Sequence, residues 1–403
     1  MVKVLHILGI GYKPLTQEEE ALLLKIPKIY CLKGTLKLFE RYPQFEKIKE
    51  KIVLFSRVSE LISVLKKELD EVIVLAGGDP LFCGIGETLL KEFPKEFIKI
   101  YPDLTTPQIL CARLKIPFYK VRVISIHGRY FSEEMFLREV SLNPYLFVYT
   151  DPEKNPAFLA SLLLEKGFET LTLYVGEKLN YPDEKITLGG PEKISKKTFL
   201  EPCSLLIENP KWGSHPILGL REEEILHEKG MITKDSARAV ILHQLEPPQK
   251  GIIWDIGAGS GSVSLELARL SPHLEIYAIE KEKNCCKIIE KNCKKFFITN
   301  IKIIEGKAPQ VLKELPSPDR VFVGGTGGKL KEILLYLEGL ENLKIKVFSF
   351  VTFENLNDAL CFYKEKNYKL DLIQLQIHRF SSLKDYHYLK PENPLFILKV
   401  LRA

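Results

Sequence analysis

The chain has 403 residues, 45% of them hydrophobic and 27% charged. That length and balance supply two or three packed domains and exclude a disordered chain or a collagen-like fibre. The net charge of +6 is modest, with 29 basic and 28 acidic residues up to position 210 and 29 and 24 beyond it. The excess in the second half suits an anionic small molecule and falls far short of a nucleic-acid footprint.

The pattern alternates short apolar runs with amphipathic ones, which predicts an α/β protein. Predicted strands and helices in the first half are Lys3–Leu8, the helix Gln17–Lys25, Glu71–Ala76, the helix Gly84–Glu92, Val121–Ser125, Tyr145–Tyr149, Thr170–Val175 and Ser204–Glu208. The polar stretch Asn209–His215, punctuated by Pro210 and Gly213, reads as a junction. Beyond it come a helix at Lys234–Leu245, a strand Gly251–Ile256, a helix Val263–Leu270 and a strand Glu275–Glu280. The strands Ile301–Ile304, Arg320–Val323, Lys346–Val351, Asp371–Ile377 and Pro394–Val400 complete the second half. The predicted domains are therefore 1–210 and 217–403, joined by 211–216, and they differ in pattern.

No apolar run approaches the roughly 20 residues of a membrane helix, so no membrane partner is expected. Val2–Ile10 reads as a first strand and not as a leader, which makes the cytoplasm the expected location. The eight cysteines show no C-x-x-C spacing, so neither a metal site nor a redox pair is predicted.

The strongest local signal is Trp254-Asp255-Ile256-Gly257-Ala258-Gly259-Ser260-Gly261. A strand ends in an acid, enters a glycine-dense turn and gives way to a helix. Such glycines permit positive φ and close approach of backbone to a ligand, and the helix start offers unpaired N–H groups. A second predicted strand ends at Glu280, placed to accept hydrogen bonds from the two hydroxyls of a ribose. A dinucleotide fingerprint needs a glycine three residues after Gly259, where Ser262 stands. The D-x-G-x-G-x-G pattern instead resembles class I S-adenosylmethionine methyltransferases. After the strand Arg320–Val323, Gly324-Gly325-Thr326-Gly327-Gly328 supplies backbone amides for a carboxylate, or else is only a tight turn.

These residues, with Met231-Ile232-Thr233-Lys234, Arg238, Glu305-Gly306, Ala308-Pro309 and Thr352-Phe353-Glu354-Asn355, resemble the cobalamin-pathway C15-methyltransferases (CbiT) over nearly all of 217–400. The resemblance implies a Rossmann-like class I domain. It implies S-adenosylmethionine held by Thr233, Asp255, the turn Gly257, Ala258, Gly259, Ser260 and Gly261, Glu280 at the ribose, and Ala308 near the adenine. Lys307 and Ser349 depart from what many relatives carry.

In the first half, Leu8-Gly9-Ile10-Gly11 closes one strand and Gly77-Gly78-Asp79-Pro80-Leu81-Phe82-Cys83-Gly84 follows another. With Ser125-Ile126-His127-Gly128-Arg129, Tyr149-Thr150-Asp151 and Val175-Gly176-Glu177, they resemble class III tetrapyrrole methylases, in particular the C5-methylating (CbiE) branch. The resemblance implies two α/β lobes, about 1–115 and 120–208. The cofactor would lie between them, lined by Gly9, Gly78, Asp79, Pro80, Thr105 and Thr106. Two departures from that pattern are Tyr12-Lys13-Pro14 and Pro102-Asp103. His127 and Arg129 could hold substrate carboxylates, or pair as ordinary surface groups.

Together the halves resemble fused methylases of corrin-ring assembly. That implies C-methylation of precorrin-6B, or its cobalt form, at C15 with loss of the C12 acetate carboxyl as carbon dioxide, and at C5. The implied partners are a small-molecule tetrapyrrole and further copies of the chain. The positioning candidates are Gly324, Gly325, Thr326, Gly327, Gly328, His127 and Arg129. An RNA or other small-molecule methyltransferase with a non-catalytic first half is the alternative.

Overall fold

The computed structural model describes residues 4–127, 131–213, 216–228, 230, 232–366 and 368–402. Lys3, Gly128, Arg129, Met231 and His215 of the predictions above lie outside them. The chain forms two compact units: 1–130, 144–161 and 171–208 make the first, and 131–143, 162–170 and 209–403 the second.

The first unit contains two five-stranded sheets. In one, β1 (Leu5–Ile10), β2 (Ile29–Leu32), β3 (Ile52–Phe55), β4 (Val72–Gly77) and β5 (Ile98–Tyr101) run parallel in the order β3-β2-β4-β1-β5. The interior strand β1 is buried along its whole length, as a parallel strand covered on both faces must be. In the other, β6 (Val121–Ser125), β7 (Tyr145–Tyr149), β8 (Thr172–Glu177), β9 (Lys185–Gly189) and β10 (Cys203–Glu208) adopt the order β6-β7-β10-β8-β9. Only the β6–β7 pair is parallel in that sheet. Each sheet anchors one lobe, and the short β2, β3, β5 and β9 are additions to the predicted set.

The second unit is built on a seven-stranded sheet of β11 (Lys250–Ile256), β12 (His273–Glu280), β13 (Ile301–Glu305), β14 (Arg320–Val323), β15 (Ile345–Phe350), β16 (Lys369–Leu375) and β19 (Leu395–Leu401), with β17 (His378–Leu383) and β18 (Tyr386–Pro391) forming a separate hairpin. The order is β13-β12-β11-β14-β15-β19-β16, parallel except for β19, which is antiparallel to both neighbours. The chain winds outward from β11 to β13, then returns to β14 on the other side. That reversal opens a crevice beyond the carboxyl ends of β11 and β14, where ligands bind in sheets of this kind. The core on one face gathers Trp254, Val321, Leu334, Phe348 and Tyr363.

A buried ion pair ties the segment before the sheet to the helix after β11. Arg238 and Glu266 are almost fully buried and approach to 3.6 Å. Arg238 also donates to the carbonyls of Thr233, at 2.7 Å, and Leu220, while Glu266 accepts the amides of Gly219 and Leu220. Burial pulls the Arg238 pKa down against the pull of Glu266. Removing one partner of such a pair costs about 3–5 kcal/mol, because the other charge is left buried alone.

Candidate active sites

In the second unit three strand ends are stitched together by their turns. The Ile279 carbonyl accepts the amides of Gly257, at 2.9 Å, and Ala258, at 3.1 Å. The Ile256 carbonyl in turn accepts those of Gly324, at 2.9 Å, and Gly325, at 3.3 Å. A Cβ on Gly257, whose φ is +74°, would lie 2.6 Å from the Gly325 nitrogen, so no side chain fits there. Gly259, at φ +57°, faces open space instead. That is the cradle a ligand needs. Asn292, fully buried, accepts from Leu226 N and donates to Leu226 O and to the Ser260 carbonyl. It was not a sequence candidate, because an Asn within a Lys-rich helix reads as solvent-facing.

Asp255 sits below this turn, 1% exposed. Its Oδ2 accepts from Ser264 N at 3.1 Å and Ser264 Oγ at 2.5 Å, while Oδ1 has no partner among the described residues. Burial pushes its pKa up to about 6, opposed by the Ser264 bonds. Asp255 therefore braces the turn from beneath. Glu280 accepts from Gly259 N at 2.9 Å through Oε2, and from Lys281 N and Glu282 N through Oε1. With about two acceptor positions per oxygen, Oε2 keeps one for a ligand hydroxyl, where the sequence reading counted on two. The Thr233 carbonyl is held by Arg238, and Ala308 packs at the rim of the core after Gly306, whose amide donates to Glu280 O at 2.9 Å.

The Gly324–Gly328 loop does not serve whole as an anion nest. Gly324 and Gly325 spend their amides on Ile256. Lys329 N donates to Thr326 O at 2.9 Å, closing a turn with positive φ at Gly327 and Gly328.

In the first unit a cavity of about 370 Å³ lies between the two lobes, within the usual size of small-molecule sites. Gly78, Asp79, Thr105, Thr106 and His127 are among its walls, together with Tyr12, Tyr149, Tyr181, Glu201 and Ser204, which were not sequence candidates. Asp79 Oδ1 accepts from Leu81 N at 2.8 Å. His127 Nδ1 donates to Thr150 O at 3.2 Å. The Thr105 hydroxyl is occupied by a capping box with Gln108, so it holds a helix start. Gly9 has a packing role too: a Cβ there would lie 2.7 Å from Gly78 O and 2.9 Å from Asp103 N. Pro80 brings its carbonyl against Gly84 and Gly86. Glu177, buried, accepts from Leu200 N at 2.9 Å.

The two departures noted in this half meet each other. Tyr12 N donates to Asp103 Oδ2 at 3.0 Å, and the Tyr12 hydroxyl contacts Thr106 Oγ1 at 2.6 Å. Thr106 also bonds the Tyr149 phenol, and burial raises the pKa of both tyrosines.

Both sites fit a nucleoside-type methyl donor. Each holds a buried hydroxyl without a partner among the described residues, Ser260 in one and Ser204 in the other. The second unit, with its glycine turn at a topological switch and an antiparallel last strand, is a class I methyltransferase fold. The first has the two lobes and central cleft of a tetrapyrrole methylase.

Residues 224–402 match the family model described as the precorrin methyltransferase domain, and residues 5–193 that of the tetrapyrrole (corrin/porphyrin) methylases. Among curated proteins, the cobalt-precorrin-6B C(15)-methyltransferase (decarboxylating) of Salmonella typhimurium is 35% identical over 169 residues, 41% of this chain and 87% of the relative. The precorrin-6Y C(5,15)-methyltransferase (decarboxylating) of Sinorhizobium sp is 29% identical over 274 residues, 67% of this chain and 65% of that relative's length. A solved precorrin-6Y C5,15-methyltransferase from Geobacter metallireducens shares 34% identity and covers 47% of this chain and 100% of its own, with a TM-score of 0.45. The chain belongs to the precorrin methyltransferases, with a tetrapyrrole methylase domain ahead of the class I domain.

The raised pKa of Asp255 has a stability consequence. Its folded value of about 6 lies above the ordinary 3.8, so folding favours the proton. The stability this contributes is fully present below the unfolded value and is lost as pH rises through about 6. Between about pH 4.5 and 7.5 the wild type should lose about 2 kcal/mol relative to Asp255→Asn in urea unfolding. Parallel pH profiles for the two proteins would contradict this.

Proposed function

We propose that the chain methylates a reduced tetrapyrrole, precorrin-6B or its cobalt form, at two carbons. The second domain acts at C15 with loss of the C12 acetate carboxyl as carbon dioxide, and the first domain acts at C5. The observation that carries this reading is how little proton-transfer capacity the sequence-predicted acids of the second site offer. Asp255 lies 1% exposed beneath the turn with Oδ2 held by Ser264, and Glu280 accepts three backbone amides, keeping one Oε2 position for a ligand hydroxyl. Such a site positions its reactants and abstracts no proton, which suits an acceptor carbon that is already nucleophilic. The meso carbons of a reduced tetrapyrrole have that enamine-like character.

S-adenosylmethionine, when bound, supplies an electrophilic sulfonium methyl. In the second domain Gly259 leaves room for it, Ser260 and Glu280 offer hydrogen bonds, and the Gly257–Gly325 contact keeps the floor rigid. In the first domain Asp79, Thr106 and Ser204 line the cleft that would hold it, and His127, also on its wall, would orient the ring's acids. Methylation at C15 leaves iminium character in the ring that can take up the electrons of the acetate C–C bond as carbon dioxide departs.

The reading predicts separable losses, measured by mass spectrometry of the products of full-length enzyme with S-adenosylmethionine and either ring. Wild type should add two methyl groups and release one carbon dioxide. Gly257→Val should abolish C15 methylation and decarboxylation, and Asp79→Ala should reduce C5 methylation at least about tenfold, about 1.4 kcal/mol. No change in either ring with wild-type enzyme would defeat the reading.

We also propose that the enzyme acts in the cytoplasm, without nucleic acid, as an assembly of identical chains. No helix among the described residues is long and apolar enough to cross a membrane. The hairpin β17–β18 exposes Phe380, Leu383, Tyr386 and Leu389, more apolar surface than a lone hairpin ordinarily leaves in water. Sedimentation equilibrium should give a multiple of the 46.2 kDa chain mass, and a single-chain mass would contradict self-association.

A further inference from the structure

Lys281 follows Glu280 at the end of β12, and its side chain crosses toward the loop after β14. A Cβ placed on Gly327 would lie 3.7 Å from Lys281 Nζ and 3.8 Å from its Cδ and Cε. Because β11 separates β12 from β14 in the sheet, that path runs over the mouth of the crevice, above the glycine turn.

The ammonium is weakly held. Its ion-pair partner is the neighbouring Glu282, at 3.5 Å, with both side chains well exposed, and pairs of that kind contribute little. Lys329, on the same loop, is by contrast engaged by Glu332 at 2.8 Å. Beneath Lys281 the turn Thr326–Lys329 has positive φ at both central residues, Gly327 at +55° and Gly328 at +80°. Successive backbone amides in a turn can form a concavity that takes an anion. Among the described residues neither amide has an acceptor. A single ammonium beside two such amides matches one carboxylate.

We propose that Lys281, with the amides of Gly327 and Gly328, forms a carboxylate-binding site at the rim of the second domain's crevice. The inference rests on the methyl-transfer reading and assigns it a specificity residue. The carboxylate comes either from the amino-acid end of the methyl donor or from an acid side chain of the ring.

The test uses full-length wild type, Lys281→Met and Lys281→Arg. Calorimetric titration with S-adenosylhomocysteine and with 5′-methylthioadenosine, which lacks the amino-acid end, reports the donor. The KM for the ring in carbon dioxide release reports the substrate. If the donor supplies the carboxylate, Lys281→Met weakens one S-adenosylhomocysteine binding step about tenfold, about 1.4 kcal/mol, and leaves 5′-methylthioadenosine unchanged. If the ring supplies it, KM rises by a similar factor and the titrations do not move. In either case Lys281→Arg restores most of the loss and the unfolding temperature is unaltered. Binding and KM within twofold of wild type would overturn the proposal, as would equal weakening of both nucleosides. A wild type that binds neither nucleoside would overturn the methyl-transfer reading, and this site with it.

Discussion

The carbonyl oxygens of Ile279 and Ile256 each accept two amides from the next turn along the sheet, and the second site depends on that arrangement. It draws the ends of β12, β11 and β14 so close that Gly257 meets the backbone of Gly325 without room for a Cβ of its own. Gly257 is there for packing. Gly259 and Gly328, which face open space, are the ones that leave a ligand room. A glycine-rich stretch thus divides into a rigid floor and an open cradle, and the division follows from which amides are already spent.

Buried polar residues beneath the crevice hold this floor in place. Asp255 supports the turn through Ser264, Asn292 holds the Ser260 carbonyl, and the Arg238–Glu266 pair fastens the segment carrying Thr233. Each is buried and costly to desolvate, and each bonds at least one backbone group. The first domain uses different means toward the same end. Its cleft is shaped by two lobes, by a hydroxyl line from Tyr12 through Thr106 to Tyr149, and by Asp103 holding the Tyr12 amide. Tyr12 and Asp103 look like separate anomalies in the sequence, yet in space one hydrogen-bonds the other.

The legibility of the fold followed burial. Strands such as β1, β4 and β11, enclosed on both faces, are continuous apolar runs and were readable with nearly correct ends. The four-residue strands β2, β3 and β5 are too short to establish a period, and β18 is exposed along its whole length, so pattern had nothing to report. At the sites the glycines and acids were readable, but their division of labour was not. Nothing in the sequence says that Gly324 and Gly325 donate to Ile256, or that Glu266 and Asn292 face inward from helices. Those facts depend on which neighbours the tertiary fold supplies.

The central claim is that one chain carries two independently built methyl-donor sites. Calorimetric titration of the full-length protein with S-adenosylhomocysteine tests it most directly. Two equivalents bound per chain, falling to one in Gly257→Val and to the other one in Asp79→Ala, is the predicted result. A single equivalent that Asp79→Ala leaves untouched would contradict the claim and reduce the first domain to a scaffold.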